Sequence, residues 1–250
     1  MISDPAMSLQ SASGRARQKG DPEQPLVIIV DDDPAVREAL QELMQSAGME
    51  CACFGSTREL FEASVLDRPG CLILDVRMPG SSGLDLQRYL AANGSHKPII
   101  FLTGHGDIPM TVQAMKAGAV DFLTKPVRDQ TLLDAVIAGI KKDLAHRADT
   151  QVVKRNIDRL ETLTPRQRQV LHEVARGRVN KQIAFDLGIS EVTVKLHRAN
   201  VMRKIEAVSI GDLIRIWESL PLSMRRACEP EAKPIAGKQT LGQLGQGSLS

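Results

Sequence analysis

The chain has 250 residues, a length that predicts two domains, and its 42% hydrophobic and 25% charged residues are ordinary for a globular protein. No apolar run reaches the ~18 residues of a membrane span, and the residues before Leu26 lack the apolar segment of a secretory signal. Four cysteines are too few for a disulfide framework, and no histidines stand at zinc-ligand spacing. These features argue against a membrane, secreted or zinc-dependent protein and predict a cytoplasmic one.

The charge is divided unevenly along the chain. Residues 26–145 carry 11 Lys and Arg against 16 Asp and Glu, whereas residues 161–220 carry 10 against 7. Such a contrast predicts two domains with different partners, and nucleic acid is the natural partner of the basic one.

Short β-branched runs alternate with helix-like periodicity through residues 25–147. The strands are predicted at 26–30, 50–54, 71–75, 98–103 and 120–124, and the helices near 34–47, 57–64, 83–92, 108–117 and 129–144. Five strands that alternate with five helices predict an α/β domain, with a doubly wound five-stranded parallel sheet covered on both faces.

Strand signals are absent from residues 161–222, where four helices are predicted instead. Thr164, Pro165 and Gln167 form a helix-start signature, and Gly177 ends that helix. Further helices are predicted at 180–187, 191–205 and 209–220. The tight turn at residues 188–190 makes the middle pair a candidate helix-turn-helix unit, whose second helix enters the DNA major groove.

Three polar segments lie outside these domains. Residues 1–24 and 223–250 are rich in Ser, Gln, Gly and Pro and are predicted to be disordered tails. Residues 148–160 are polar and charged, and are predicted to form a linker or a helical extension.

Polar residues follow the predicted strands at their carboxyl ends, where ligands bind in open α/β sheets. They are Asp31 to Asp33, Asp75, Thr103 and Lys125. Clustered carboxylates repel each other unless a cation is present, and hard oxygen ligands suit Mg²⁺. With a hydroxyl and an ammonium group they predict a phosphoryl-transfer site with Asp75 as acceptor. The alternative for Asp32 and Asp33 is a helix start, where acidic residues are favoured.

Four motifs resemble the receiver domain of two-component response regulators. They are Val30-Asp31-Asp32, Asp75-Val76-Arg77-Met78-Pro79-Gly80, Thr103-Gly104-His105 and Lys125-Pro126. The resemblance implies that Asp75 is phosphorylated and that Asp31, Asp32 and the Arg77 carbonyl help it to hold Mg²⁺. It further implies that Thr103 and Lys125 bind the phosphoryl group, and that the Lys125-Pro126 bond is cis.

Two side chains in this region have competing interpretations. Phe122 is the aromatic switch by resemblance, coupled to movement of Thr103, but a plain core Phe fits the sequence equally. His105 lies in residues 104–110, which resemble the FixJ-like branch of response regulators, and we expect a polar loop residue there without a catalytic role.

The predicted groove helix presents polar side chains that are candidates for DNA contact. They are Thr193, Lys195, His197, Arg198, Asn200, Arg203 and Lys204. Val192, Leu196 and Ile205 are expected on its inward face. The alternative is a solvated charged face on an ordinary helix.

The amino-acid sequence of this region resembles the LuxR-type DNA-binding domain. The matching segments are residues 163–171, 180–184 and 193–198. The resemblance implies phosphate contacts at Asn180 and Lys181, at the start of the first helix of the unit.

Together the two resemblances describe a FixJ/NarL-type transcriptional regulator rather than an enzyme. We expect it to accept a phosphoryl group from a sensor histidine kinase, to form a homodimer on double-stranded promoter DNA, and to act on RNA polymerase, with no membrane partner. Two alternatives stay open. One is a Mg²⁺-dependent aspartyl-phosphate phosphohydrolase with a targeting domain; the other is a DNA-binding regulator that works without phosphorylation.

Overall fold

The computed structural model describes residues 24–104 and 106–230, which form two compact units divided between Asp149 and Thr150. The predicted tail over residues 1–23, His105 and the tail beyond residue 230 lie outside the described residues. No helix in the described part of the chain is both long and apolar enough to cross a membrane.

A parallel sheet forms the centre of the first unit. Its strands are β1 (Leu26–Val30), β2 (Glu50–Phe54), β3 (Gly70–Leu74), β4 (Ile99–Thr103) and β5 (Asp121–Thr124). Their order is β2-β1-β3-β4-β5, and every neighbouring pair is parallel. Strands β1, β3 and β4 are buried along their whole length, which explains their nearly unbroken apolar sequences. The predicted doubly wound sheet is confirmed, with boundaries shifted by one residue at three strands.

Five helices connect and cover these strands. They are α1 (Pro34–Ser46), α2 (Thr57–Glu62), α3 (Gly83–Ala92), α4 (Ile108–Lys116) and α5 (Asp129–Glu161). Side chains of Asp33, Ser56, Ser82 and Asp107 cap the first four helices. Two hydrophobic clusters result, one on each face of the sheet.

The topology brings four chain positions to one edge of the sheet. Asp31 and Asp75 directly follow β1 and β3, Thr103 ends β4, and Lys125 directly follows β5. Val30 pairs with Leu74 and Thr103 with Thr124, so the parallel strands end together. The carboxyl ends of the strands therefore form a polar site, as predicted.

Gly83, the first residue of α3, packs closely against the backbone at the end of β3. A Cβ atom at Gly83 would lie 2.3 Å from the Asp75 carbonyl oxygen and 3.0 Å from Leu74 Cγ. We expect Gly83→Ala to lower the free energy of unfolding of the first unit by about 1–3 kcal/mol, because overpacking outweighs the higher helix propensity of Ala. Amide hydrogen exchange in β1 and β3 measures this.

The matched control is Gly211→Ala, since the nearest atom to a Cβ at Gly211 is the Ser209 Oγ at 3.8 Å. That substitution should stabilise the helix in which it lies. Unchanged exchange in β1 and β3 of Gly83→Ala would show that the contact relaxes without cost.

The second unit is helical. It contains α6 (Pro165–Ala175), α7 (Asn180–Leu187), α8 (Glu191–Ile205), α9 (Ile210–Ser219) and α10 (Leu222–Arg226). Thr164 and Gln167 form the predicted capping box of α6, and Gly188 ends α7 with a φ of 66°. The four predicted helices are confirmed.

Two predictions concern the edges of this unit. Of the two alternatives for residues 148–160, the helical extension is correct and the separate linker is not, because α5 continues to Glu161, and the side chain of Leu160 is buried in the core of the second unit. The predicted disorder from residue 223 is wrong at its start: α10 forms there, and Cys228 is 1% exposed in the same core. Burial of these apolar side chains orders a segment whose composition looks like that of a tail.

Candidate functional site

Three carboxylates meet at the carboxyl edge of the sheet. One oxygen from each of Asp31, Asp32 and Asp75 lies within 4.8 Å of the others. Asp31 and Asp75 are buried, whereas Asp32 is exposed at the mouth of the site. Backbone N–H groups fix the two buried side chains: Asp33 donates to Asp31 Oδ1 at 3.0 Å, and Val76 donates to Asp75 Oδ1 at 2.8 Å. The site thus has two rigid carboxylates and one accessible carboxylate.

Lys125 supplies the positive charge of this site. Its Nζ donates a hydrogen bond to Asp31 Oδ2 and lies 4.0 Å from Asp75 Oδ2. The backbone of Lys125 is held as well, because its N–H donates to the Thr103 carbonyl at 2.9 Å. Thr103 is 1% exposed, and the predicted cis bond between Lys125 and Pro126 is present.

The electrostatics of the cluster favour a divalent cation. Burial raises the pKa of Asp31, and the hydrogen bond from Lys125 opposes that shift without cancelling it. Three carboxylates stand against the ammonium of Lys125, the cation that pairs with Asp31 and Asp75 in the described part of the chain, so a negative charge remains to be balanced. The donor set consists of hard oxygens, which is the chemistry that Mg²⁺ prefers. Asp31, Asp32 and Asp75 therefore fit the predicted metal ion.

The other predicted residues of this domain lie around the cluster. Arg77 is exposed two residues after Asp75, in the segment that leads to α3. Phe122 is half-buried, with its ring centroid 5.8 Å from that of Phe101. A Cβ at Gly106 would lie 2.7 Å from Phe122 Cε1, so the ring packs beneath the backbone that follows Thr103. This position is compatible with both interpretations of Phe122.

In the second unit, α7 and α8 form the predicted helix-turn-helix pair. Ser190 caps α8 by accepting a hydrogen bond from the Thr193 N–H at 3.1 Å. Val194, Val201 and Ile205 form the buried side of α8 and belong to the core of the unit. These three positions fix which side of α8 faces solvent.

The solvent side of α8 is a mixed stripe of basic and apolar residues, here called the groove stripe. It consists of Val192, Lys195, Leu196, Ala199 and Arg203, all exposed at helical spacing. Val192 is 75% exposed and Leu196 61% exposed, so the expectation that they face inward is wrong, while that for Ile205 is correct. Sequence reasoning therefore missed the apolar members of the stripe.

Several predicted DNA contacts are engaged within the unit. Arg198 donates to Asn180 Oδ1 at 3.0 Å, and the Thr193 hydroxyl lies 2.8 Å from that of Ser190. Lys204 donates to the Thr162 carbonyl at 2.7 Å and to Gln167, so its ammonium lies away from the groove stripe.

The remaining candidates differ in their exposure. Lys181 is exposed at the start of α7, and Asn180 before it is half-buried. His197 and Asn200 are half-buried on α8, and the Asn200 side chain accepts a weak hydrogen bond of 3.4 Å from Arg203.

Family models match both units. The response regulator receiver domain matches residues 27–137, and the LuxR family of bacterial regulatory proteins matches residues 161–217.

Curated relatives span both units. Nodulation protein W of Bradyrhizobium diazoefficiens is 51% identical over 198 residues, which cover 79% of this chain and 87% of that protein. The response regulator protein TodT of Pseudomonas putida is 49% identical over 199 residues, covering 80% and 88%. The transcriptional regulatory protein FixJ of Azorhizobium caulinodans is 44% identical over 196 residues, covering 78% and 92%.

A solved structure of the response regulator StyR is similar with a TM-score of 0.71 and 46% identity, over 78% of this chain and 98% of that one. The fold and the two matches define a two-component response regulator with a DNA-binding output domain. This chain belongs to the response regulators that join a receiver domain to a LuxR-family helix-turn-helix domain. It is a DNA-binding regulator of transcription.

Proposed function

We propose that Asp75 accepts a phosphoryl group from a sensor histidine kinase in a Mg²⁺-dependent reaction, and that the phosphorylated chain dimerises on promoter DNA. The observation that carries this proposal is the carboxylate cluster, with Lys125 between Asp31 and Asp75. Because its target is DNA, we place the protein in the cytoplasm, where RNA polymerase is available as a further partner.

In the transfer step, the Asp75 carboxylate attacks phosphorus, and the bond between phosphorus and the kinase imidazole nitrogen breaks as the new O–P bond forms. Asp31, Asp32, Asp75 and the Arg77 carbonyl would hold Mg²⁺, which would supply charge neutralisation for the transferred group. The Lys125 ammonium pairs with a phosphoryl oxygen, and the Thr103 hydroxyl donates to another. The aspartyl phosphate that results stays on the protein.

A phosphohydrolase acting on other molecules is the weaker interpretation. Such an enzyme needs a general acid near its nucleophile, and Arg77 stands two residues after Asp75. A guanidinium group keeps its proton at neutral pH and is a poor general acid. We therefore propose a phosphoacceptor rather than an enzyme with a separate substrate.

On DNA, the groove stripe supplies two kinds of contact. Lys195 and Arg203 pair with phosphates or with the acceptor groups of guanine, while Val192 and Leu196 pack against thymine methyl groups. The small side chain of Ala199, one turn after Leu196, leaves room for close approach of a base. Lys181 and Asn180, at the start of α7, contact the phosphate backbone.

Dimerisation is supported by the surface of α4. Ile108, Val112 and Met115 are exposed at helical spacing, and Ile108 is 81% exposed. An apolar stripe of this kind marks an interaction surface. It lies on the helix that follows Thr103, next to β5 with Phe122. We assign the face of α4, β5 and α5 to the homodimer, and two output domains then read two half-sites.

Analytical ultracentrifugation with Mg²⁺ and beryllofluoride, an analogue of the phosphoryl group, tests this assignment. We expect the analogue to tighten the dimer by about 5- to 150-fold, the usual range of coupling between sites. Ile108→Lys should abolish the gain, whereas Phe61→Lys on α2, at a position 41% exposed, should retain it. A mass unaffected by the analogue at micromolar concentration would remove dimerisation from the mechanism.

A further inference from the structure

A cavity of about 320 Å³ opens on the first unit at the amino end of β4. The α3–β4 connection contributes Ser95 and His96, β4 contributes Ile99, and α5 contributes Lys142 and His146. The carboxylate cluster lies beyond the opposite ends of the same strands, so the cavity is separate from the phosphoryl-acceptor site.

The ionisable side chains that line this cavity are all basic. They are His96, Lys97, Lys142 and His146, and no aspartate or glutamate occurs among its described lining residues. The two imidazole rings are in contact, with centroids 4.3 Å apart and planes tilted by 53°. In a domain with more acidic than basic residues, this is a local concentration of basic groups.

Asp143 is the carboxylate that interacts electrostatically with Lys97, and it also accepts hydrogen bonds from other groups. Asp143 is buried, and its Oδ2 accepts hydrogen bonds from the Gly70 N–H at 2.9 Å and from Arg147 at 2.7 Å. Lys97 is 7% exposed and donates to the Arg68 carbonyl at 2.7 Å. Burial lowers the pKa of Lys97 to about 8, against the opposing pull of Asp143. An anion in the cavity would favour the charged form of this lysine.

The wall of the cavity is apolar. Leu90, Ala91, Pro98, Ile99 and Ala117 line it beside the basic groups. Its volume is at the small end of the range for organic ligands. From this combination we infer that the cavity binds a small organic phosphate, with its dianionic group between His96, His146 and Lys142 and its apolar part against the β4 side.

The histidine Hε1 resonances of the full chain, recorded by NMR without Mg²⁺, test this inference with phenyl phosphate and inorganic phosphate as probes. We expect saturable shifts of His96 and His146, with phenyl phosphate half-saturating at or below about 1 mM and binding more tightly than inorganic phosphate. His172 and His197, in the second unit, serve as internal references and should not move.

Lys142→Gln should weaken the binding of phenyl phosphate by about tenfold, the usual effect of losing a charge-assisted hydrogen bond. Lys141→Gln, at the neighbouring exposed position of α5 outside the cavity, is the matched control and should bind normally. Shifts that rise linearly without saturation, or equal weakening by both lysine substitutions, would show only non-specific attraction and overturn the inference. Equal affinity for the two probes would refute the contribution to binding that we assign to the apolar wall.

Discussion

Asp75→Asn abolishes incorporation of a phosphoryl group from an acyl phosphate in the presence of Mg²⁺. The amide has almost the same shape as the carboxylate, but it lacks the charged oxygen that attacks phosphorus. The hydrogen bond of 2.8 Å from the Val76 N–H to Oδ1 can be retained by the amide oxygen, so the fold should survive. We expect complete loss of labelling with a thermal midpoint close to that of the wild type.

Mass spectrometry of the intact protein measures this directly, since one phosphoryl group is added per chain. Asp67→Asn provides the matched control, because Asp67 is exposed in the same domain and outside the carboxylate cluster. It should be labelled like the wild type. Full labelling of Asp75→Asn would show that another carboxylate accepts the phosphoryl group.

Lys195→Ala produces the second large effect, a loss of DNA affinity of about 5- to 150-fold, as expected for one groove contact worth about 1–3 kcal/mol. The DNA is a site selected from a random-sequence pool with the wild-type chain. If Lys195 contacts a phosphate, the slope of log affinity against log salt should fall by about one, and if it contacts a base, preference at one position should relax.

Leu196→Ala tests the contribution of the apolar residues of the groove stripe to DNA recognition. It removes no charge, so the salt slope should stay constant while preference for thymine at one position falls. Arg215→Ala on α9 is the control for both variants, because its side chain is 76% exposed outside the groove stripe. Wild-type binding by both Lys195→Ala and Leu196→Ala would mean that another face of the unit enters the groove.

The receiver fold is predictable from sequence because its signals agree with one another. The buried strands carry unbroken apolar runs, and helix caps such as Asp33 and Ser82 stand where the periodicity begins. Since parallel strands end at one edge, the placement of Asp31 and Asp75 beside Lys125 follows from topology. The distances within the cluster require the structure, because they depend on side-chain conformations that the sequence does not encode locally.

The output domain shows where sequence reasoning fails. Val192 and Leu196 look like core residues in isolation, yet Val194, Val201 and Ile205, at intervals of seven and four, define the true buried side. Comparing the two helical stripes would have assigned them correctly. The ordered segment around Cys228 could not be predicted for another reason. The burial of Cys228 depends on contacts with residues distant in sequence, and its neighbours have the composition of a disordered tail.

Coupling between the phosphorylation of Asp75 and DNA binding is the central element of the proposed mechanism. The most direct measurement is the affinity of the full chain for its selected DNA site, with Mg²⁺ and with or without beryllofluoride, for the wild type and for Asp75→Asn. We predict that the analogue tightens binding of the wild type and leaves the variant unchanged. Equal affinity of the wild type in both conditions would contradict a phosphorylation switch and favour a regulator that works without it.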